Sequence, residues 1–447
     1  MFTKILIANR GEIAVRVIRA CRSMGVPCVA VYSKEDANAL HVKLADQRIC
    51  IGEGSSRESY LNMDRIVQAA VNMGADAIHP GYGFLSENSG FVRKCEEHGI
   101  TFIGPPADVI DRMGNKSAAR TTMMDAGVPV VPGTREPVYD AAEAKKQADR
   151  IGYPVMIKAS SGGGGKGMRT AAAGDDFEHQ FSLAQHESAN AFGDDTMYIE
   201  KFIEDPRHVE IQIMADSFGN VVSLGDRDCS VQRNHQKLIE ESPSPAISEQ
   251  IRMKMAEYAV LAAKTVGYEG AGTVEFIVSP GGEFYFMEMN TRIQVEHGVT
   301  EMVTGTDLIA EQIRVAAGEP LSFAQEDIRI NGHAIECRIN AEIPEKNFMP
   351  CPGKVTALHL PAGNGIRVDT ALYTGYQIPS EYDSMIAKVI VHAPDREAAI
   401  RKMLAALDEM VVLGVETNLD FQYQIMRNPV FRAGEANTGF IESIMKA

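Results

Sequence analysis

The sequence has no run of apolar residues approaching the roughly 20 that a membrane-spanning helix needs. It opens through Met1-Phe2-Thr3-Lys4 into a short apolar stretch, Ile5–Ala8. That stretch is too short for a secretory core and no cleavage-like site follows it, so a cytoplasmic protein is expected. Basic residues are in deficit: 44 Lys and Arg stand against 60 Asp and Glu, a net charge of −16. Neither nucleic acid nor a membrane is expected as a partner, although a local basic pocket is compatible with that balance. The seven cysteines, Cys21, Cys28, Cys50, Cys95, Cys229, Cys337 and Cys351, are odd in number and include no C-x-x-C. This fits reduced, scattered thiols rather than a disulfide framework or a cysteine zinc site. Internal repeats and low-complexity segments are missing too. Tryptophan is absent, which excludes nothing.

What remains is a chain of 447 residues, 45% hydrophobic and 23% charged, ordinary for a globular protein. Its length suggests about two to four domains. The first part alternates strand and helix: strand Ile5–Ile7, helix Gly11–Cys21, strand Cys28–Val31, helix Ile66–Met73, strand Ala77–Ile78. That alternation predicts parallel βαβ units. The first turn, Asn9-Arg10-Gly11-Glu12, lacks G-x-G-x-x-G, so dinucleotide binding is unsupported. Beyond Gly104-Pro105-Pro106 the pattern changes. A helix from Lys116 closes at Gly127, another spans Ala141–Arg150, and Tyr153–Ile157 reads as a strand. A last section from about Gly332 begins with strands and ends with an amphipathic helix, Pro394–Met410, whose Ile400, Met403, Leu404, Leu407 and Met410 share a face.

Several segments carry chemistry. Ser160–Met168 reads SSGGGGKGM, which is not a Walker A motif, because Ser160 stands six before Lys166 and Gly167 follows it. Glycines without Cβ let backbone N–H groups close around phosphate oxygens; the other reading is a flexible linker. Lys158 ends the run Val155-Met156-Ile157-Lys158, where it either snorkels to solvent or meets an anion. Lys116 at a helix start is a second positive source. Gly281-Gly282 predicts a two-residue hairpin loop that sets Glu275 opposite Glu288. Opposed carboxylates repel unless a cation bridges them, and Mg²⁺ or Mn²⁺ suits oxygen donors. The alternative is a solvated strand face in another register. An extended continuation would put Glu288, Asn290, Arg292, Gln294 and Glu296 on one side, with Arg292 for an oxyanion and Glu296 as a base; the alternative there is an exposed edge strand. His208, Glu210 and Gln212 alternate on another predicted strand. Gln232–Lys237, including His235, reads as a dense polar loop. Glu336, Arg338 and Asn340 alternate opposite Ile335, Cys337 and Ile339.

Taken together, these segments resemble the biotin carboxylases of the ATP-grasp superfamily. The resemblance spans nearly the whole chain: IANRGEIAVRVIRA at Ile7, HPGYGFLSEN at His79, GGGGKGM at Gly162, RHVEIQ at Arg207, RDCSVQR at Arg227, MNTRIQVEH at Met289 and YDSMIAK at Tyr382. It implies an α/β and α+β fold: a Rossmann-like pre-ATP-grasp domain (1–113), an ATP-grasp domain (114–330) with a mobile lid near 131–203, and a mixed α/β C-terminal domain (331–447). It implies ATP contacts at Lys116, Lys158, Gly163, Gly164, Gly165, Glu200, Lys201, His208, His235, Glu275 and Glu288, and two Mg²⁺ or Mn²⁺ ions at Glu275, Glu288 and Asn290. Bicarbonate and biotin fall to Lys237, Arg292, Gln294, Val295, Glu296 and Arg338, with Lys237, Arg292, Glu296 and Arg338 as the reacting set.

The implied reaction is ATP- and bicarbonate-dependent carboxylation of carrier-bound biotin through carboxyphosphate. The implied partners are a biotin carboxyl carrier protein, carboxyltransferase subunits and a second copy of the chain. Acetyl-CoA carboxylase of fatty-acid synthesis is the expected setting, with a multi-subunit pyruvate or acyl-CoA carboxylase as the alternative. Two positions depart from the family pattern: Asn234, where Arg is usual, and Gly298, where Pro is usual.

Overall fold

The computed structural model describes residues 1–159 and 167–446. They form two compact units. The first comprises Met1–Arg112, Arg207–Glu275 and Met289–Ala447; the second comprises Met113–Pro206 and Phe276–Glu288. No helix among the described residues is long and apolar enough to cross a membrane.

The first unit opens with a five-stranded parallel sheet, in the order Gln47–Gly52, Cys28–Ser33, Ile5–Ile7, Ala77–His79, Thr101–Phe102. Its central strand is only three residues long, and all three are fully buried. Ile5 and Ile7 enter one core, with Ile13, Val17 and Ile18 of the helix Gly11–Ser23. Leu6 enters the other, with Ile66, Val67 and Phe91. A parallel sheet covered on both faces needs an unbroken apolar run of this kind. Each such aliphatic side chain stabilises the fold by roughly 1.5–3 kcal/mol when fully buried.

The same unit carries most of an eight-stranded sheet. Its order is Phe284–Asn290, Gly270–Val278, Arg207–Ala215, Val221–Arg233, Gln236–Ser242, His333–Asn340, Met385–Ala393, Ile366–Thr370. Ile335, Cys337 and Ile339 face a core with Val389, Val391 and the helix Arg396–Glu409. The predicted helix face holds: Ile400, Met403, Leu407 and Met410 are buried, and Leu404 is partly so. The alternate residues Glu336 and Arg338 are thereby turned to the sheet's other side.

Two local expectations are corrected. Gln232–Lys237 is a tight hairpin rather than a loop: one strand runs to Arg233, the next starts at Gln236, and Arg233 pairs with Gln236. Asn234 and His235 take positive φ, +49° and +64°. Asn tolerates that conformation better than most side chains, so the departure at 234 suits the turn. The second correction is the glycine hairpin. Ser279 N–H donates to the Glu283 carbonyl at 2.8 Å, leaving Pro280, Gly281 and Gly282 in the loop. The loop is one residue longer than predicted and shifts the register there. The predicted direct opposition of Glu275 and Glu288 therefore loses its basis.

The second unit is built on a three-stranded antiparallel sheet, Met168–Ala171, Val155–Ala159, Met197–Lys201. The helices Ala141–Ile151 and Gly174–Phe192 pack on it through Ala144, Ala148, Phe177 and Phe181. Asp140 caps the first of these, its side chain accepting from Glu143 N–H.

One backbone position sets the start of the strand that carries Arg338. Gly332 has φ +69°, and a Cβ there would lie 2.3 Å from the Ala393 carbonyl oxygen. Gly332→Ala is expected to destabilise the protein by about 1–3 kcal/mol, read as a lower denaturant midpoint. An unchanged midpoint would show that the strand start relaxes freely.

Candidate active site

The polar face of the large sheet holds a dense set of buried charges, all within the first unit. Strand alternation predicts His208, Glu210 and Gln212 on one face, and all three are buried there. Arg227 lies opposite Glu210 in the ladder. Its guanidinium is fully buried and donates to Glu210 (2.5 Å), Gln212 (2.6 Å), Thr300 (3.0 Å), Thr273 (3.1 Å) and Gln294 (2.9 Å). Five partners for five N–H groups satisfy the fork completely, which is the condition for burying arginine at tolerable cost.

Lys237 extends from the next strand. Its ammonium lies 2.6 Å from Glu210, 3.2 Å from Glu275 and 2.6 Å from Glu296. Arg338 reaches the other oxygen of Glu296 at 2.9 Å, and its Nε donates to Glu240 at 2.6 Å. Glu296 is thus clamped between two cations. Burial opposes its ionisation, but Lys237, Arg338 and Arg227 outweigh that and hold the carboxyl well below the usual range. Glu275 is lowered in the same way: burial resists, while Lys237, His208 and a Gln294 hydrogen bond prevail. Asn290 and Gln294 donate to Glu275 at 2.7 and 2.8 Å, and His208 Nε2 lies 3.0 Å from its other oxygen.

The predicted strand-like run to Glu296 is corrected. The strand ends at Asn290, and Thr291–Glu296 has neither strand nor helix geometry. Side chains hold the segment instead. Glu87 accepts from Thr291 N–H (3.0 Å) and Arg292 Nε (2.8 Å), and Arg292 Nη2 donates to Asn290 (3.1 Å). The Lys388 ammonium donates to the Val295 carbonyl. Tertiary contacts thus gather the polar groups that alternation was expected to align.

Lys237, Arg292, Gln294, Glu296, Arg338, Glu275, Asn290 and His208 accordingly form one connected network. His235 stands at the exposed hairpin turn, outside it. In the second unit Lys158 pairs with Glu200, and Arg120 Nε lies 3.4 Å from the same carboxylate. Lys116 Nζ lies 3.3 Å from Glu288. The Lys201 ammonium donates to the carbonyls of Gly152 (3.0 Å) and Tyr153 (2.7 Å). Gly163, Gly164 and Gly165 lie outside the described residues.

Sequence reasoning missed Glu87, Glu210, Arg227, Glu240 and Lys388 as members of the network. Glu87, Glu210, Arg227 and Lys388 sit in the segments HPGYGFLSEN, RHVEIQ, RDCSVQR and YDSMIAK, so a signal was present for each; Glu240 lies in none of them.

A buried carboxylate held ionised between Lys237 and Arg338 is an arrangement that can bind a small oxyanion and take a proton from it. The comparisons agree with this class. Residues 1–110 match the family described as biotin carboxylase, N-terminal domain; residues 115–324 match the carbamoyl-phosphate synthase L chain, ATP binding domain; residues 336–443 match the biotin carboxylase C-terminal domain. Biotin carboxylase 1 of Bacillus subtilis (strain 168) is 57% identical, with 99% of each chain covered. A pyruvate carboxylase subunit of Methanothermobacter thermautotrophicus is 55% identical over 99% of this chain and 90% of its own length. Among solved structures, the biotin carboxylase domain dimer of Hydrogenobacter thermophilus 2-oxoglutarate carboxylase, in complex with MgADP, ADP and bicarbonate, is 49% identical. Its TM-score is 0.91, covering 99% of this chain and 98% of that one.

The fold is that of an ATP-dependent ligase with an ATP-grasp central domain. The chain belongs to the biotin carboxylase family, and its activity is ATP-dependent carboxylation of biotin.

Glu240 offers a test of the site's electrostatics. Burial raises its carboxyl to about 6, with Arg338 opposing the rise and Glu296 adding to it. Between its ordinary 4.5 and about 6 the folded chain therefore holds a proton that the unfolded chain releases. The group's contribution to stability is full below that window and is lost as pH rises through it. In Glu240→Gln this dependence vanishes, so the variant should gain stability relative to the parent as pH rises from about 4.5 to 6. Thermal unfolding across that range reads the difference; parallel profiles for the two chains would rule the titration out.

Proposed function

We propose that this chain carboxylates carrier-bound biotin through carboxyphosphate, as the first half-reaction of acetyl-CoA carboxylase. The observation that carries the chemistry is the Glu296 carboxylate bridging Lys237 and Arg338 at 2.6 and 2.9 Å. In this state Glu296 is ionised but a weak base, because both cations hold its charge. Bicarbonate entering beside it competes for Lys237, Arg338 and Arg292. As these donors turn to the substrate, their hold on Glu296 loosens and its proton affinity rises toward that needed to take the bicarbonate proton. The bicarbonate oxygen then attacks the γ-phosphoryl group of ATP, the bond from the γ-phosphorus to the β,γ-bridging oxygen breaks, and ADP leaves as carboxyphosphate forms. Breakdown of carboxyphosphate supplies CO₂, phosphate takes the biotin N1′ proton, and Arg338 stabilises the enolate oxygen of biotin while CO₂ adds.

Nucleotide contacts are proposed for Lys116, Lys158, Glu200, Lys201, His208, His235 and the glycines Gly163 to Gly165. Glu275, Glu288 and Asn290 offer hard oxygen donors, which fit Mg²⁺ or Mn²⁺. A divalent ion there supplies charge neutralisation for phosphoryl transfer. At Glu275 it competes with Lys237, Asn290 and Gln294, which already bond the same oxygen. The proposed partners are a biotin carboxyl carrier protein, carboxyltransferase subunits and a second copy of the chain, in the cytoplasm. A pyruvate-directed complex is the second reading, favoured by the likeness to the Methanothermobacter pyruvate carboxylase protein.

Measuring ADP and carboxybiotin from one reaction tests the assignment. Glu296→Gln should lower both. Arg338→Gln should lower carboxybiotin by about 10²–10³-fold while bicarbonate-dependent ADP release survives better. Loss of both products in strict proportion would assign Arg338 to ordering the whole site. For the final acceptor, the native complex is given labelled bicarbonate with acetyl-CoA or pyruvate. Label in malonyl-CoA supports the proposal, and label only in oxaloacetate overturns it.

A further inference from the structure

Lys388 is a lysine with no exposed side-chain surface, in the middle of the strand Met385–Ala393. Burying an ammonium is costly unless it is paired and hydrogen-bonded. Three carboxylates surround it, Glu12 at 3.6 Å, Asp369 at 3.8 Å and Glu336 at 4.0 Å. These distances are too long for hydrogen bonds. Neither Glu336 oxygen has a hydrogen-bond partner among the described residues. The acids thus supply charge, while the directional bond of the ammonium goes to the Val295 carbonyl.

That carbonyl belongs to the segment Thr291–Glu296, which no backbone ladder or helix holds. Its front is tied by Glu87 and its middle by Arg227 through Gln294. At its rear, next to Glu296, Lys388 holds the chain. The chain packs closely here: a Cβ at Gly298 would lie 2.4 Å from Ile390 Cδ1, the movable end of that side chain, and 3.2 Å from Glu336 Oε2. The start of the helix His297–Thr304 therefore sits directly on the strand that bears Lys388.

We infer that Lys388 is a positioning residue for the reaction: by fixing the Val295 carbonyl it sets the Glu296 carboxylate against Lys237 and Arg338. Its hydrogen-bond partner, Val295, belongs to the set proposed for bicarbonate and biotin and not to the set proposed for the nucleotide. Its replacement should therefore be felt on one substrate and not the other. The inference rests on the role proposed for Glu296.

The test uses the full chain with MgATP, bicarbonate and free biotin. Lys388→Met is expected to lower kcat/KM for bicarbonate by about 10²-fold, the scale of a displacement of about 1 Å at a reacting group. The KM for ATP and the affinity for MgADP should stay within about two-fold of the parent, since the bond removed is the one that fixes the chain beside Glu296. Amide hydrogen exchange should quicken at Val295–His297 and stay unchanged in strand Ile5–Ile7. If removing the ammonium unfolds the chain, Lys388→Met with Glu336→Gln removes one acid as well, and the same split is expected. Bicarbonate and ATP parameters falling together, unchanged exchange at 295–297, or failure of both variants to fold would each overturn the inference. Absence of bicarbonate-dependent ADP release in the parent itself would instead overturn the functional reading, and this inference with it.

Discussion

The Glu296 carboxylate between Lys237 and Arg338 is the interaction on which the rest of the site depends. A carboxylate this deeply buried is costly to ionise, and two cations within hydrogen-bond distance make the ionised form the stable one. Each cation is buried in turn and needs its own anions: Glu210 and Glu275 for Lys237, Glu240 for Arg338. Charge thus spreads across neighbouring strands of the large sheet. Arg227 joins Glu210 to Gln294 beneath them. Removing any one member leaves an uncompensated buried charge, which is why the network behaves as a unit.

This arrangement reconciles two demands on Glu296. An isolated buried glutamate would be protonated and could accept nothing. A fully paired one is ionised but too weak to deprotonate bicarbonate. Under the proposed reaction, the substrate's own negative charge resolves the conflict by drawing the cations away at the moment the base is needed. Glu336, directly opposite Glu240 in the ladder, shows the contrasting case. Burial raises its carboxyl well above the usual range, and Lys388 at 4.0 Å does not bring it back. Glu240 is pushed up as well, but only to about 6, because burial is opposed there by the Arg338 guanidinium hydrogen-bonded to it.

The parallel sheet, the amphipathic helix Arg396–Glu409 and the buried face of His208, Glu210 and Gln212 were legible in the sequence, whereas the helices Leu419–Arg427, Pro429–Arg432 and Phe440–Lys446 that follow it were not. Each of the first three rests on a periodicity: an apolar run for a strand covered on both sides, spacing near 3.6 for Ile400, Met403 and Leu407, and alternation for the polar triplet. The glycine hairpin was legible as a hairpin but not in its loop length. Pro280 can enter the loop without giving up a ladder hydrogen bond, and local sequence does not weigh that against the two-residue alternative.

The sequence by itself determined which residue types the reaction can use and where the alternating faces lie. Side-chain order along a strand or helix follows from backbone geometry alone. Only the tertiary structure decided the partners. Thr291–Glu296 has no repeating backbone geometry, so its conformation comes from Glu87, Arg227 and Lys388, residues distant in the chain. The state of each charge was decided there too. Whether a buried glutamate is held ionised, as at Glu296, or pushed toward the neutral acid, as at Glu336, depends on which cations folding brings within a few ångströms, and no periodicity in the chain encodes that distance.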